Sequence, residues 1–201
     1  MIDKIVKSLS LRPTNNIVNN FYFKNEKETQ SRLNNIAEYL EYYINNPPKY
    51  ILVGEAPGYK GCAQSGIPFT SQYIISNTKF FKSNFQLIGG EEKERTSTVM
   101  WKCLETMKQY PLLWNAFPFH PHEENVPNTN RPLLPEEEEE GLQYIQLLQI
   151  MFPKSDFVAV GGVAEKSLIK LGISVYDKAC HPAARNGIAR FKEQMTKILA
   201  T

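Results

Sequence analysis

Short apolar runs that stop abruptly in loops rich in glycine, proline or asparagine recur along this chain, separated by segments whose apolar residues fall at three- to four-residue spacing. Tyr50 to Val53 runs into Gly54-Glu55-Ala56-Pro57-Gly58. Leu112 to Phe117 runs into a loop dense in Pro, His and Asn, and Asp156 to Val160 into Gly161-Gly162. Unbroken apolar runs of this length read as strands buried on both faces, which a parallel sheet requires. Loops at the carboxyl ends of such strands are where open α/β sheets hold their ligands.

The segments between them read as helices. Ile2 to Leu9 is a short one, and Glu28 to Ile44 carries Leu33, Ile36, Ala37, Leu40 and Tyr43 before Pro47-Pro48 stops it. Further helices are expected over Thr98 to Tyr110, Pro135 to Met151, Val163 to Leu171 and Ile188 to Leu199, with a short strand near Ser174 to Tyr176. Pro135 and the five glutamates after it suit a helix start, where a missing N–H costs nothing and negative charge meets the macrodipole. The alternation predicts an α/β protein, a three-layer α/β/α sandwich around a mostly parallel central sheet. A chain of 201 residues fits a single domain over 1–201, with residues 1–25 forming an N-terminal arm.

Composition removes several classes of function. No apolar run approaches the roughly 20 residues of a membrane span, and Met1 to Pro13 lacks a signal-peptide core. A cytoplasmic protein is expected. Cys62, Cys103 and Cys180 are odd in number and widely spaced, without a CxxC, which fits neither a disulfide framework nor a zinc ribbon. His120 and His122 lack a third ligand at compatible spacing, so no metal site is expected. Net charge is +2, but Glu123, Glu124 and Glu136 to Glu140 concentrate seven acids, leaving 23 basic residues against 14 acidic ones elsewhere. Such a surface can meet a polyanion on one face.

Two of the loops carry a resemblance. GEAPGYKGCAQSGIPFTS from Gly54 to Ser71 resembles the water-activating and base-stacking motif of the uracil-DNA glycosylase superfamily, and HPAARNG from His181 to Gly187 resembles its C-terminal HP loop. Both stand in the superfamily's order. The likeness runs from about Tyr50 to Leu199 and leaves the N-terminal arm unexplained.

The resemblance implies a monofunctional DNA glycosylase that flips a pyrimidine, hydrolyses its N-glycosidic bond and leaves an abasic site. Breaking that bond makes positive charge on the sugar and negative charge on the base, so an anionic group and a hydrogen-bond donor are needed on opposite sides. Glu55 is the sole carboxylate between Gly54 and Thr70 and is expected to polarise the attacking water; the alternative is that it only binds loop amides. His181 would donate to a carbonyl oxygen of the departing base. Gly54, Ala56, Gly58, Phe69 and Asn115 are expected at the base: Phe69 as its stacking partner, Asn115 as the reader of its Watson–Crick edge. Gly58 stands where uracil-restricted relatives carry a tyrosine that collides with a 5-methyl group, so room is expected there.

Ala183, Ala184, Arg185 and Asn186 occupy the loop that enters DNA in relatives, and Lys178, Arg185, Arg190, Lys192 and Lys197 give that region a basic excess over the single acid Glu193. Duplex or single-stranded DNA is the expected partner of a monomer, without metal or organic cofactor. Other readings stay open: an anti-phage glycosylase excising bulky 5-modified cytosines, a non-catalytic DNA-binding module of the same fold, or a flavodoxin-like ligand binder.

Overall fold

The computed structural model describes residues 1–23, 27–105, 110–182, 184 and 187–199, and of residues 27 and 28 only the backbone. Its elements in chain order are α1 (Ile2–Leu11), β1 (Val18–Asn19), α2 (Lys27–Asn45), β2 (Tyr50–Gly54), α3 (Cys62–Ser65), α4 (Gln72–Asn77), α5 (Lys79–Asn84) and α6 (Arg95–Leu104). There follow β3 (Leu112–Asn115), β4 (His120–Pro121), α7 (Pro135–Met151), β5 (Asp156–Val160), α8 (Gly162–Lys170), β6 (Val175–Ala179) and α9 (Gly187–Leu199).

Four strands form one sheet in the order β3-β2-β5-β6, parallel throughout. Every residue of β2 and β3 is buried, as the unbroken apolar runs require of strands covered on both faces. α8 packs against β2, β5 and β6, and α9 against β6. Ile51, Leu52, Val53, Leu112, Leu113, Val158 and Ala159 are at 0% exposure in the centre of the core. Each large aliphatic among them contributes about 1.5–3 kcal/mol by leaving water.

The parallel register sets the site. Gly54 pairs with Asn115, and past the strand ends Ala116 donates its N–H to the Gly54 carbonyl at 2.8 Å and Phe117 to that of Glu55 at 2.9 Å. The residues following β2, β3 and β6 therefore emerge along one edge of the sheet. Gly141 lets α7 lie against this edge, since a β-carbon there would stand 2.2 Å from the Ala116 carbonyl oxygen.

The chain departs from expectation in four places. The last strand is Val175–Ala179 rather than Ser174 to Tyr176, because an exposed edge strand carrying Asp177 and Lys178 shows no apolar run. The strand of the second run stops at Asn115, where the chain turns. α6 begins at Arg95, because the Glu94 carboxylate accepts the N–H groups of Thr96 and Ser97 at 2.7 and 2.6 Å and so caps the helix; its expected end lies partly outside the described residues. The stretch from Cys62 to Asn84 forms three short helices too brief to give a periodic signal.

Residues 1–23 pack onto the rest of the protein. α1 lies on α2 with Ile5 and Leu9 fully buried, and β1 pairs antiparallel with β4. Asn20 ties this segment together, donating to the carbonyls of Leu9 at 2.7 Å and Arg12 at 2.6 Å and accepting the Tyr22 N–H at 2.8 Å.

Candidate active site

A cavity of about 630 Å³ opens at the carboxyl edge of the sheet. Glu55, Ala56, Gly58, Phe69, Asn115 and His181 all line it, although they span 127 positions of sequence from Glu55 to His181 counted inclusively. The volume lies within the roughly 300–1,000 Å³ typical of small-molecule sites.

Phe69 forms one wall with its backbone at φ 55°, a left-handed conformation that a bulky residue adopts only when its surroundings hold it there. The Ser65 hydroxyl bonds the carbonyls of Ile67 and Thr70, and the Thr70 hydroxyl that of Pro68, so the turn is braced on both sides of the ring. Gly54 does not line the cavity. It lies beneath it, where a β-carbon would meet the Phe69 ring at 2.2 Å and the Asn115 Oδ1 at 3.0 Å.

Asn115 is 3% exposed at the end of β3, with its amide on the cavity. His181 follows β6, and its ring stands 6.5 Å from that of Phe69 at an interplanar angle of 39°. Burial depresses the His181 pKa, opposed in part by the negative Glu94, so the imidazole is neutral at pH 7 and can donate a single N–H. The HP loop turns tightly: Ala184 donates to the His181 carbonyl at 3.0 Å and Gly187 to that of Ala184 at 2.7 Å. A side chain at Gly187 would press on the His181 carbonyl, 2.7 Å from its β-carbon. Ala184 is exposed on this loop; Ala183, Arg185 and Asn186 lie outside the described residues.

Glu55 is half-buried. Burial raises its pKa, the nearby Leu133 backbone partly lowers it, and the neighbouring Glu138 raises it again. Glu55 lines the cavity. Across from Gly58 the space is open, with a β-carbon there touching only the Asn130 Oδ1 at 3.4 Å.

Sequence reasoning missed Lys60, Lys93, Glu94, Arg95, Asn130 and Arg131, which complete the cavity wall. The consecutive charges Lys93-Glu94-Arg95 before an apolar helix were the available signal for three of them. Lys60, Lys93 and Arg95 are exposed, giving the mouth a cationic rim suited to phosphate.

His120 and His122 are buried beside the cavity and engaged with the backbone. The His120 Nδ1 and Nε2 face the carbonyls of Pro57 at 2.9 Å and Pro127 at 3.0 Å, and the His122 Nδ1 that of Glu123 at 2.8 Å. Among the described residues no three or more His, Cys, Asp and Glu side chains cluster so as to hold a metal ion, and no helix is long and apolar enough to cross a membrane.

No protein family's sequence profile and no curated protein matches the chain. Among solved structures, the crystal structure of wild-type Pedobacter heparinus SMUG2 is similar to it, with a TM-score of 0.70 at 17% identity over 99% of this chain and 95% of that one. The α/β sandwich expected from the alternation of strands and helices is thereby shown, with a parallel four-stranded sheet and a fold like that of SMUG2.

Proposed function

We propose that this protein is a monofunctional DNA glycosylase that hydrolyses the N-glycosidic bond of uracil or a modified pyrimidine in DNA and leaves an abasic site. The observation that carries the reading is the meeting of Glu55, Phe69, Asn115 and His181 around one cavity at the sheet's carboxyl edge. The fold shared with SMUG2 supports it.

In this reading the flipped base stacks on Phe69 and its polar edge meets the Asn115 amide. As the bond to C1′ lengthens, electrons pass to the base and His181 donates its N–H to a carbonyl oxygen, an interaction that strengthens as charge builds there. Glu55, as its carboxylate, orients a water toward C1′ and stabilises the cationic sugar. The water oxygen bonds C1′, and its proton leaves to the carboxylate or to solvent. Lys60, Lys93 and Arg95 at the mouth supply phosphate contacts.

The open space at Gly58 favours a second reading of the substrate, a pyrimidine substituted at its 5-position. A panel of oligonucleotides carrying uracil, thymine and 5-substituted pyrimidines, in one strand and in two, followed by alkali, tests both. Strand breaks at uracil alone support the first substrate, and breaks extending to 5-substituted bases the second. Intact strands together with tight, salt-dependent binding would leave a non-catalytic DNA-binding module.

A further inference from the structure

Two tyrosines near the cavity keep their rings only half-buried: Tyr59 in the loop after β2 and Tyr73 at the start of α4. Each carries an ammonium over its face. Lys60 Nζ stands 5.6 Å from the Tyr59 ring centroid and Lys93 Nζ 4.2 Å from that of Tyr73, within the roughly 6 Å of a cation–π contact. The core tyrosines Tyr22, Tyr39 and Tyr43 engage backbone groups through their hydroxyls, whereas those of Tyr59 and Tyr73 have no partner among the described residues.

These pairs stand where concavities meet. Tyr59 lines both the large cavity and an adjoining hollow of about 340 Å³, and Lys93 both the large cavity and a second hollow of about 450 Å³. Three hollows thus follow one another, joined at Tyr59 and at Lys93. Besides Tyr59, the first is lined by Phe21 and Phe23 together with Asn19, Gln64 and Asn128. The last is lined by Tyr73, Ser76, Asn77 and Glu91 beside Lys93. Aromatic faces among amides and hydroxyls suit a nucleobase, whose ring stacks and whose edge both donates and accepts hydrogen bonds.

Charge follows the same line. Arg131 is held in a bidentate pair by Glu137, and the Glu94 carboxylate accepts the amides of Thr96 and Ser97. Lys60, Lys93 and Arg95 make no ion pair among the described residues and lie along the joins, where a strand passing from one base to the next carries its phosphates. Glu91 in the last hollow has the opposite sign, so the phosphate at that end falls to Lys93.

We propose that the two outer hollows are subsites for the nucleotides on either side of the target in an unpaired DNA strand, with Tyr59 and Tyr73 as stacking platforms and Lys60 and Lys93 as phosphate contacts. A base seated in either is turned away from a complementary strand, so the track fits single-stranded DNA rather than a duplex. The inference rests on the reading of the central cavity as the place of the flipped base, and it deepens that reading by naming the strand that leads there.

The test is the fluorescence anisotropy of a short fluorescein-labelled oligodeoxyadenylate, alone and annealed to oligothymidylate, over a range of salt. The labelled strand holds no pyrimidine, so its binding is read without excision. It is expected to bind more tightly alone than in the duplex. Tyr59→Ala and Tyr73→Ala each weaken single-strand binding by about fivefold or more with the salt slope unchanged, while Tyr73→Phe, which keeps the ring, binds as the wild type does. Lys93→Gln lowers the slope of log affinity against log salt by about 0.7, the value for one phosphate contact on a single strand. Should an alanine variant fail to fold, the leucine variant, which fills the space without an aromatic face, takes its place with the same expectation. Wild-type affinity in the folded tyrosine variants, or a duplex bound as tightly as the single strand, overturns the proposal. Tight binding of the probe with no base released from any pyrimidine oligonucleotide would sink the glycosylase reading, while the tyrosine variants still decide the track.

Discussion

A β-carbon added to Gly54 would stand 2.2 Å from Cζ of Phe69: the aromatic wall of the cavity rests directly on the glycine that ends β2. The strand's last residue thus serves as the seat of a ring fifteen positions later, which the strained backbone at Phe69 holds in place. Gly54→Ala must tilt that ring or push β2 from β3, where Asn115 also presses at 3.0 Å. It is expected to cost about 1–3 kcal/mol, the range for overpacking, and to weaken base binding. Chemical denaturation and the KM for an oligonucleotide substrate check the two effects.

Glu55 illustrates a site held against the interest of stability. Its pKa is raised in the folded chain, so the folded state binds its proton more tightly than the unfolded state does, and stability is lost as pH rises through the folded value. Glu55→Gln is therefore expected to abolish excision while raising the melting temperature at pH 7, with the gain vanishing near pH 4. Melting curves of both proteins at the two pH values measure this directly.

His120 and His181 carry the opposite sign. Burial holds both below the usual histidine value of 6.5, so the unfolded chain takes up protons first as pH falls. Their contribution is complete above 6.5 and is lost progressively below it. The melting temperature should fall between pH 7 and pH 5, and His120→Gln, which keeps polar reach without titrating, should flatten part of that slope.

The N-terminal segment underlies the site although nothing in its sequence announces it. β1 pairs with β4 beside His120, and Arg131 donates to the Ile17 carbonyl. Asn20→Ala would strip partners from three backbone groups at once and is expected to cost about 3 kcal/mol, read by urea denaturation. A loss under 1 kcal/mol would mean that water replaces the amide.

The central sheet was legible because β2, β3 and β5 are buried on both faces and so are written as unbroken apolar runs. β6 was misplaced because an edge strand with three exposed residues has no such obligation. Glu55, Phe69, Asn115 and His181 were legible through two motifs and the end of a strand. Arg131 and Glu137 were not, since what makes them matter is a fork of hydrogen bonds to His122, Ile17 and Leu134, and pairing across loops leaves no local pattern. Glu94 was hidden for a related reason: glutamate is an uncommon helix cap, and it caps here because both its oxygens reach backbone amides.

The most direct measurement is the single-turnover rate of base release from a uracil-containing or 5-substituted oligonucleotide by the wild-type protein, Glu55→Gln and His181→Ala. If the carboxylate and the imidazole stabilise opposite charges across the cavity, each substitution slows release by about 100-fold or more while DNA binding is retained. Release at the wild-type rate in either variant would contradict that chemistry.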